Sequence, residues 1–337
     1  LFNIYILGDN MQKIKIGIVG YGNIGKAVDY LTSVNKDIEV VCIFTRRKII
    51  EIKDTYCKNI DNLENILDYK GKIDVLVLCL GSYNDLVKNT YKLAKNFNTV
   101  DSFDNHKKII NYEENLTKIC VKNSTSSIIS VGWDPGIFSL FRELFKSILN
   151  TNSYTIYGPG VSQGHSELLR KLKGVLYATQ YTVPYDDVLE RITNNNKTNI
   201  DKTNNNKTIK EANKKLYKRE CYLVVEDNVD HKKLERYIKS IPSYFKGYET
   251  NIHFIDEETY LKNHNNLNHE GKVLIDDTLS KISLNLKLES NPIFTASVMI
   301  SYIYACNTLS LKKLYGAYNI LEIPISYIIK DYKKIEI

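Results

Sequence analysis

Acidic residues follow two apolar runs of this sequence at points where the chain turns. The segment "VGWDPG" (residues 131–136) places Asp134 between the only tryptophan and a Pro-Gly pair, and "DSFDNH" (residues 101–106) contains Asp101 and Asp104. A carboxylate can accept a hydrogen bond from an ammonium group or remove its proton. Which chemistry applies depends on what binds beside these acids, and therefore on the elements that position them.

A glycine pattern near the start of the chain predicts a nucleotide-binding turn. The segment "GYGNIG", Gly20–Gly25, has the spacing G-x-G-x-x-G and stands between the apolar run "KIKIGIV" and a helical pattern. The first glycine permits a tight turn, the second lets the backbone approach a pyrophosphate, and the third allows a helix to pack closely on a strand. The helix N-terminus adds amide donors. We therefore expect a bound dinucleotide; the alternative is a purely structural glycine turn.

The end of the second apolar run indicates which dinucleotide binds. An NAD site usually has an acidic residue there, about 20 residues beyond the motif, to hold the ribose 2′-hydroxyl. This chain has Thr45, Arg46 and Arg47 instead. Two guanidinium groups suit a 2′-phosphate, so the sequence predicts NADP(H). The alternative for one of the two arginines is that it merely faces solvent.

The order of apolar runs predicts an α/β protein with two domains. Five continuous apolar runs alternate with helical patterns up to about residue 133, which is typical of a Rossmann-type, doubly wound parallel sheet. Later runs alternate apolar and polar residues, which favours a second α+β domain with a mixed sheet for substrate binding and dimerisation. We expect an extension outside the fold at 1–10, the nucleotide domain at 11–133 and the second domain at 134–290, with a mobile insertion at about 194–215. Residues 291–337 are expected to form a C-terminal helix and tail. We expect this helix to pack back near the nucleotide domain.

Composition and charge narrow the function classes. The chain has 337 residues and a net charge of +7, but residues 194–219 hold seven lysines and one arginine against two acids. The excess charge lies in one Asn/Lys-rich segment rather than along a surface stripe, so we expect no nucleic-acid partner. The six cysteines show no metal-ligand spacing, so we expect no metal and a reducing cytoplasm. Polar residues interrupt the longest apolar segment (293–311), so we expect no membrane span.

The sequence resembles one enzyme family over about residues 11–325. Eight segments follow, in order, the pattern of the NADP-dependent meso-diaminopimelate D-dehydrogenases: "VGYGNIGKAV", "IFTRR", "VDSFDNH", "GWDPGIFS", "GPGVSQGHS", "QYTVP", "FKGYE" and "NPIFTAS". The resemblance implies reversible oxidative deamination at the D-centre of meso-2,6-diaminopimelate, which gives L-2-amino-6-oxopimelate, ammonia and NADPH. The oxo acid then cyclises to tetrahydrodipicolinate. It also implies a homodimer and a role in lysine and peptidoglycan precursor synthesis.

The resemblance also implies residues for a substrate with two carboxylates and two ammonium groups. Asp104 and Asp134 match the partners of the reacting ammonium, and either is a candidate proton acceptor. Gln163 and Gly164 match amide contacts near the reacting carbon. The far end is assigned to Arg219, Thr182, His269 and Asn291. Tyr157 stands where the family more often has tryptophan, which keeps an aromatic wall with a smaller ring.

The motif, the strand ends and the resemblance together give the expected cofactor contacts. Ligands of such sheets bind outside the carboxyl ends of the strands, which is where "LCLGS" and the two acidic segments fall. The expected contacts are Gly20, Tyr21, Gly22, Asn23, Ile24, Gly25, Thr45, Arg46, Arg47, Cys79, Leu80, Gly81, Ser82, Asp101, Ser102, Phe103, Val131, Gly132, Trp133, Asp134 and Pro135.

Several of these polar residues also have a structural interpretation. Asn291 precedes a proline and would make a good helix N-cap, and Asp134 could cap a turn. Without the resemblance, Arg219 would be interpreted as solvated and His269 as an exposed loop histidine. His165 in "SQGHS" is interpreted as structural rather than as a catalytic base.

Two other function classes remain open from the residues alone. One is a two-domain NADP oxidoreductase acting on a hydroxyl or aldehyde, although no lysine stands at the expected strand ends. The other is a non-catalytic NADP-binding regulator, which would keep "GYGNIG" but would not need two acids and an arginine. Ammonia-dependent oxidation of NADPH separates the first from an amine dehydrogenase, and tight NADPH binding without turnover would indicate the second.

Overall fold

A computed structural model describes residues 13–81, 85–106, 108–149, 151–191, 216–242, 244–265, 267–276 and 279–329. The predicted extension at 1–10, the predicted insertion at 194–215, Ser82 and the last eight residues lie outside these ranges. The chain forms two compact units. One contains the residues up to Phe141 and those from Pro292 onward, and the other runs from Arg142 to Asn291.

The first unit contains a parallel sheet of seven strands, counted over the described residues. They are β1 (Ile14–Val19), β2 (Ile38–Thr45), β3 (Ile60–Asn62), β4 (Val75–Leu78), β5 (Asn98–Asp101), β6 (Ser126–Ile128) and β13 (Gly316–Tyr318), in the order β13-β6-β5-β4-β1-β2-β3. The helices are α1 (Asn23–Ser33), α2 (Leu86–Leu93), α3 (Ile109–Asn123), α4 (Ile137–Leu149, which continues into the second unit), α8 (Asn291–Leu311) and α9 (Ile325–Ile328). Short 3₁₀ turns lie at Ile49–Glu51, Leu63–Tyr69 and Ile320–Glu322.

Both faces of this sheet are buried, which explains the continuous apolar runs. Successive residues of a strand point to opposite faces. Accordingly, Val75 and Val77 belong to one core cluster with α8, whereas Leu76 and Leu78 belong to a second cluster that includes residues of α2 and α3. The predicted Rossmann-type parallel sheet is confirmed. The sequence patterns missed β3 and β13, which have three residues each and are too short for a period to be visible.

Helix α8 belongs to the core of the first unit. Its length and mean hydropathy of 1.2 would allow a membrane crossing, and it is the one helix with that property in the described part of the chain. Half of the apolar window is buried inside the protein. Met299, Tyr302 and Ile303 are at most 1% exposed and pack in the same cluster as β1 and β4. A core helix therefore accounts for the apolar run.

The second unit is built on a mixed sheet of six strands, counted over the described residues. They are β7 (Ser153–Val161), β8 (Val175–Pro184), β9 (Tyr217–Val225), β10 (Thr250–Phe254), β11 (His269–Asp276) and β12 (Lys281–Leu288), in the order β10-β9-β8-β7-β11-β12. Only the β9–β10 pair among these is parallel. The helices are α5 (Gln163–Arg170), α6 (His231–Ser240) and α7 (Glu257–Asn263). The predicted mixed sheet is confirmed, but the sequence patterns missed β8 and β11.

One face of this sheet carries its own apolar core. In β9 every second residue from Tyr217 to Leu223 is buried, as expected for a strand with one wetter face. Ala178, Cys221 and Leu223 pack with Leu169 of α5 and Ile238 of α6. The alternation that identified β9 in the sequence thus sets which side chains face the helices.

Candidate active site

The turn between β1 and α1 gives each glycine of the motif a different physical role. Gly20 has φ +91°, and a Cβ there would lie 2.8 Å from the carbonyl oxygen of Cys79. A Cβ on Gly25 would lie 2.2 Å from the carbonyl oxygen of Gly20, so α1 packs directly on the turn. A Cβ on Gly22 would meet nothing within 4 Å. The open side of the turn is therefore at Gly22, where a ligand can approach the backbone.

Tyr21 lies between these glycines, and its side chain belongs to the core. Its hydroxyl donates to Asp29 Oδ2 at 2.7 Å, and burial with the nearby Asp29 carboxylate raises the pKa of Tyr21. Asp29 also accepts the backbone N–H groups of Tyr56 (2.9 Å) and Cys57 (3.0 Å). This buried network ties α1 to the segment after β2. Tyr21 consequently offers its backbone, rather than its ring, to a ligand at the turn.

A cavity of about 480 Å³ opens beside this turn, within the first unit. Its lining comprises Gly20, Tyr21, Gly22, Phe44, Thr45, Arg46, Arg47, Leu63, Cys79, Leu80 and Gly81. Nine of these eleven residues are among the predicted cofactor contacts. The other two, Phe44 and Leu63, are apolar side chains that the sequence could not distinguish from ordinary core residues. Asn23, Ile24 and Gly25 open α1 and do not line the cavity.

Two arginine side chains lie on the wall of this cavity. The guanidinium of Arg46 forms two hydrogen bonds to Asp85, Nη1 to Oδ1 at 3.2 Å and Nη2 to Oδ2 at 2.7 Å, which lowers the pKa of the Asp85 carboxyl. The guanidinium of Arg47 donates to the carbonyl oxygen of Tyr21. The backbone N–H of Arg47 donates to Thr45 Oγ1 at 3.1 Å. The cavity thus combines an open glycine turn with two cations, which fits a phosphate-bearing dinucleotide.

Asp101, which the sequence predicts as a cofactor contact, is the last residue of β5. Its carboxylate is fully buried and accepts hydrogen bonds from the Tyr112 hydroxyl (2.5 Å) and from the backbone N–H groups of Phe103 (3.0 Å) and Ser130 (3.2 Å). Burial raises the pKa of Asp101 to about 6, although these hydrogen bonds oppose the shift. The side chains of Phe103 and Val131 are also in the core, whereas Ser102 is half-buried. The carboxylate therefore connects β5 to α3 and to the segment after β6 inside the core.

The other two acids remain accessible. Asp104 lies in the loop after β5 and is exposed, and Asp134 lies in the turn after β6 and is half-buried. The Ser139 hydroxyl donates to Asp134 Oδ1 at 3.3 Å. Since β5 and β6 are neighbours in a parallel sheet, both carboxylates follow the same edge of it.

A tight backbone turn carries Asp134 into α4. Gly136 has φ +141°, and a Cβ there would lie 1.7 Å from the carbonyl oxygen of Gly132. Gly132 and Pro135 are buried, and the half-buried Trp133 ring packs edge-on against Phe138 with centroids 5.3 Å apart. The Pro-Gly pair seen in the sequence therefore fixes the turn, and the tryptophan anchors it.

Four residues of the second unit form a row across its sheet. Arg219 on β9 is directly opposite Thr182 on β8, Thr182 is opposite Gly160 on β7, and Gly160 is opposite His269 on β11. Directly opposed residues share a face of a sheet. Nη1 of Arg219 donates to Thr182 Oγ1 at 2.5 Å. The absence of a side chain at Gly160 makes room for His269, because a Cβ there would lie 2.6 Å from Cγ of that ring.

The residues at the two ends of this row, Arg219 and His269, are buried, which excludes the alternative interpretation of each as an exposed side chain. Arg219 is 8% exposed rather than solvated, and its guanidinium carbon lies 4.3 Å from the centre of the Tyr248 ring. His269 is 7% exposed and begins a strand rather than lying in an exposed loop. Burial lowers the pKa of both groups. His269 Nδ1 lies 2.7 Å from the carbonyl oxygen of Glu270, so its ring is held in place.

The remaining predicted substrate residues also lie in the second unit. Gln163 opens α5 and is half-buried, and Gly164 is exposed with nothing within 4 Å of a Cβ placed on it. Asn291 opens α8, and its backbone N–H donates to the carbonyl oxygen of Leu267 at 2.9 Å. Tyr157 lies in β7, and its backbone N–H donates to the Tyr217 hydroxyl at 3.2 Å.

No cluster of three or more metal-ligating side chains occurs in the ranges that the structure describes. The first unit offers two carboxylates at the edge of its sheet and a cavity lined by two arginines. The second unit offers a buried arginine paired with a threonine.

The chain is similar to known proteins of one enzyme family. Residues 132–290 match the family described as the diaminopimelic acid dehydrogenase C-terminal domain. The chain is 38% identical over 322 residues to meso-diaminopimelate D-dehydrogenase of Ureibacillus thermosphaericus, covering 93% of this chain and 95% of that protein.

Two solved structures match over nearly the full length. The C. glutamicum DAP dehydrogenase in complex with DAP superposes with a TM-score of 0.81 at 33% identity, covering 95% of this chain and 97% of that one. An engineered D-amino acid dehydrogenase bound to NADP+ gives a TM-score of 0.79 at 32% identity, with the same coverage. The chain belongs to the meso-diaminopimelate D-dehydrogenase family.

Proposed function

We propose that this chain catalyses the NADP-dependent, reversible oxidative deamination of meso-2,6-diaminopimelate at its D-centre, giving L-2-amino-6-oxopimelate, ammonia and NADPH. Family membership supports the reaction. The observation in this chain that carries the proposal is the buried Arg219, paired with Thr182 in the row that ends at His269. A buried cation with a fixed guanidinium is the arrangement that recognises a carboxylate with high specificity.

The cofactor is proposed to bind in the cavity beside the β1–α1 turn. Gly22 and the first turn of α1 would hold the pyrophosphate, because a side chain is missing where the backbone faces the cavity. Arg46 and Arg47 would hold the 2′-phosphate. Bound NADP+ supplies the acceptor for a hydride from the substrate.

Asp104 and Asp134 are proposed to act on the reacting end of the substrate. The α-ammonium must lose a proton before its lone pair can assist departure of the hydride from the α-carbon, and one of these carboxylates accepts that proton. Loss of hydride leaves an imine, to which water adds, and cleavage of the C–N bond then releases ammonia and the oxo acid. The second carboxylate stabilises the positive nitrogen while these steps occur.

The far end of the substrate is assigned to the second unit. Arg219 and Thr182 would hold the carboxylate, with His269 and Asn291 as further polar contacts. Gln163 and Gly164 would position the reacting carbon, and Tyr157 would form an aromatic wall. Such positioning raises the rate by presenting one α-hydrogen to the hydride acceptor.

The test is NADP+ reduction measured in parallel with meso-, L,L- and D,D-diaminopimelate. We expect a response to the meso isomer alone, because it has a D-centre to oxidise and an L-centre for the far-end contacts. Equal responses to all three isomers would contradict a pocket that distinguishes the configuration at both ends of the substrate. A silent assay with tight NADPH binding would instead favour a regulatory protein.

We also propose a homodimer and a cytoplasmic location. The dimer is what the sequence resemblance implies, and the sedimentation velocity of the purified protein tests it at concentrations near those of the assay. A mass close to twice 38.9 kDa is expected. Fractionation of cells that express the chain tests the location.

A further inference from the structure

Three buried polar atoms of the second unit have no hydrogen-bond partner among the described residues. They are Nε2 of His165, Oε1 of Gln180 and Nε of Arg219. Leaving such an atom unsatisfied costs about 1–3 kcal/mol, so native proteins rarely do so without a functional reason. Only one other such atom, Oγ of Ser130, occurs in the same described ranges, and it lies in the first unit. The occurrence of three such unpartnered atoms in the second unit therefore needs a functional explanation.

The strand register places Gln180 and Arg219 on one face. Arg219 is opposite Thr182 and Cys221 is opposite Gln180, so Gln180 is the diagonal neighbour of Arg219. Gln180 is fully buried on this face. Its amide Nε2 donates to the carbonyl oxygen of Tyr181 at 2.6 Å, which orients Oε1 away from that bond.

Helix α5 brings His165 to the same face. The backbone N–H of Ser162 donates to the carbonyl oxygen of Gln180 at 2.9 Å, and the backbone N–H of Gln180 donates to Ser166 Oγ at 2.9 Å. These two bonds anchor the first turn of α5 on β8 beside Gln180. His165 therefore projects from a turn that cannot move independently of Gln180.

The segment 244–248 contacts both His165 and Arg219. The His165 ring packs edge-on against Tyr244 and Phe245, with centroid distances of 5.1 and 5.6 Å. Tyr248, three residues further on, lies under the Arg219 guanidinium. Burial, and then the nearby charge of Arg219, lower the pKa of His165 to about 3, so the imidazole is neutral at working pH.

The free atoms are chemically complementary. His165 Nδ1 lies 2.7 Å from Ser162 Oγ, and the tautomer in which Nδ1 donates leaves a lone pair on Nε2. Gln180 Oε1 is also an acceptor, and Arg219 Nε–H is a donor. Two acceptors and one donor are groups of the kind that a water can join, because a water molecule both donates and accepts hydrogen bonds.

We propose that His165 and Gln180 are positioning residues for Arg219, which present neutral acceptors to the Nε edge of its guanidinium. Thr182 accepts a hydrogen bond from Nη1, and the Tyr248 ring packs against the plane of the guanidinium, so the group keeps one orientation. In that orientation its remaining N–H groups can donate to the far carboxylate of the substrate. This inference rests on the proposed function, because it assigns Arg219 to that carboxylate. It adds two residues that the sequence did not nominate for the site.

A double-mutant cycle on purified protein tests the inference. In His165→Leu the KM for meso-diaminopimelate should rise about tenfold, with a much smaller change in kcat, because the lost acceptor acts on binding through Arg219. In an Arg219→Met background the same His165→Leu change should alter KM by less than about twofold, because the group that it positions is gone. Equal effects in both backgrounds would overturn the inference and make His165 structural.

Conservative variants and a control complete the experiment. His165→Gln places an amide where Nε2 stood and should recover most of the KM, and Gln180→Met should reproduce the effect of His165→Leu. If His165→Leu does not fold, these two variants carry the test, and an unchanged KM in Gln180→Met would overturn the inference. The control is His253→Leu, an exposed histidine paired with Glu220, which should leave KM unchanged. Absence of wild-type turnover would defeat the proposed function itself, whereas additive effects in an active enzyme would defeat only this inference.

Discussion

Two aspartates with similar positions in the sequence differ in how deeply the fold buries their carboxylates. Asp101 and Asp134 each follow a buried strand of the parallel sheet, but the first is fully buried and the second half-buried. The difference arises from Tyr112 on α3, whose hydroxyl reaches Asp101, and from the backbone N–H groups of Phe103 and Ser130. The carboxylate of Asp101, which accepts three hydrogen bonds in the core, holds elements together, whereas that of Asp134 remains partly exposed at the edge of the sheet.

Replacing Asp134 with asparagine should impair turnover more than cofactor binding. The amide keeps the size of the carboxylate but cannot take a proton, so kcat should fall roughly 10²-fold, as is typical when a general base is lost. The dissociation constant of NADPH, measured by fluorescence titration, should change little. Losses of similar size in both measurements would assign Asp134 to the cofactor site or to the fold.

Asp101 should make the stability of the protein depend on pH. Its pKa is raised from 3.8 to about 6, so the folded state binds more protons than the unfolded state between these values. The contribution of this group is therefore present below pH 4 and is lost as pH rises through about 6, by up to about 3 kcal/mol. In Asp101→Asn this loss should be absent, because an amide has no charge to bury.

Urea unfolding of the wild type and Asp101→Asn at several pH values between 4.5 and 7.5 measures this effect. The free energy of unfolding of the variant, relative to the wild type, should increase as pH rises. Asp227→Asn, at an exposed turn, is the control and should follow the wild-type profile. A constant difference between Asp101→Asn and the wild type across this range would show that the carboxylate does not titrate as its burial implies.

At the scale of elements, the β1–turn–α1 unit was predictable and the row across the second sheet was not. The roles of Gly20, Gly22 and Gly25 follow from local chain geometry, which a spacing of six residues determines. The row of Arg219, Thr182 and His269 depends on the register of β7, β8, β9 and β11, which come from distant parts of the sequence. No local pattern shows that register, so only the resemblance could bring these residues together from the sequence.

The β1–turn–α1 element gives a paired prediction. Gly22→Ala should fold as the wild type does, because φ is −86° and a Cβ meets nothing within 4 Å, but it should weaken NADPH binding roughly tenfold or more by intruding on the backbone approach. Gly25→Ala should lower thermal stability, because its Cβ would lie 2.2 Å from the Gly20 carbonyl oxygen. Differential scanning fluorimetry and NADPH titration separate the two effects. Unchanged NADPH binding in Gly22→Ala would place the pyrophosphate elsewhere.

At the scale of the whole molecule, the first unit is discontinuous in sequence. It takes its strands up to β6 from the N-terminal part and receives α8 and β13 only after the second unit has been completed. The sequence predicts that this C-terminal helix packs back near the nucleotide domain, and Met299 and Ile303 lie in the same cluster as Ile16 and Val75. The nucleotide domain therefore depends on the C-terminal part of the chain for its core.

Truncating one buried side chain of α8 tests this dependence. Ile303 is fully buried, so Ile303→Ala should lower the free energy of unfolding by about 3 kcal/mol through lost burial and the cavity that remains. The single tryptophan, Trp133, lies in the first unit, so its fluorescence during urea unfolding reports on that unit. Leu311→Ala at the end of the same helix is the matched control, because that side chain is 76% exposed and its loss should leave the midpoint unchanged. If Ile303→Ala left the fluorescence midpoint in place while Leu311→Ala shifted it, α8 would present a different face to the sheet from the one described here.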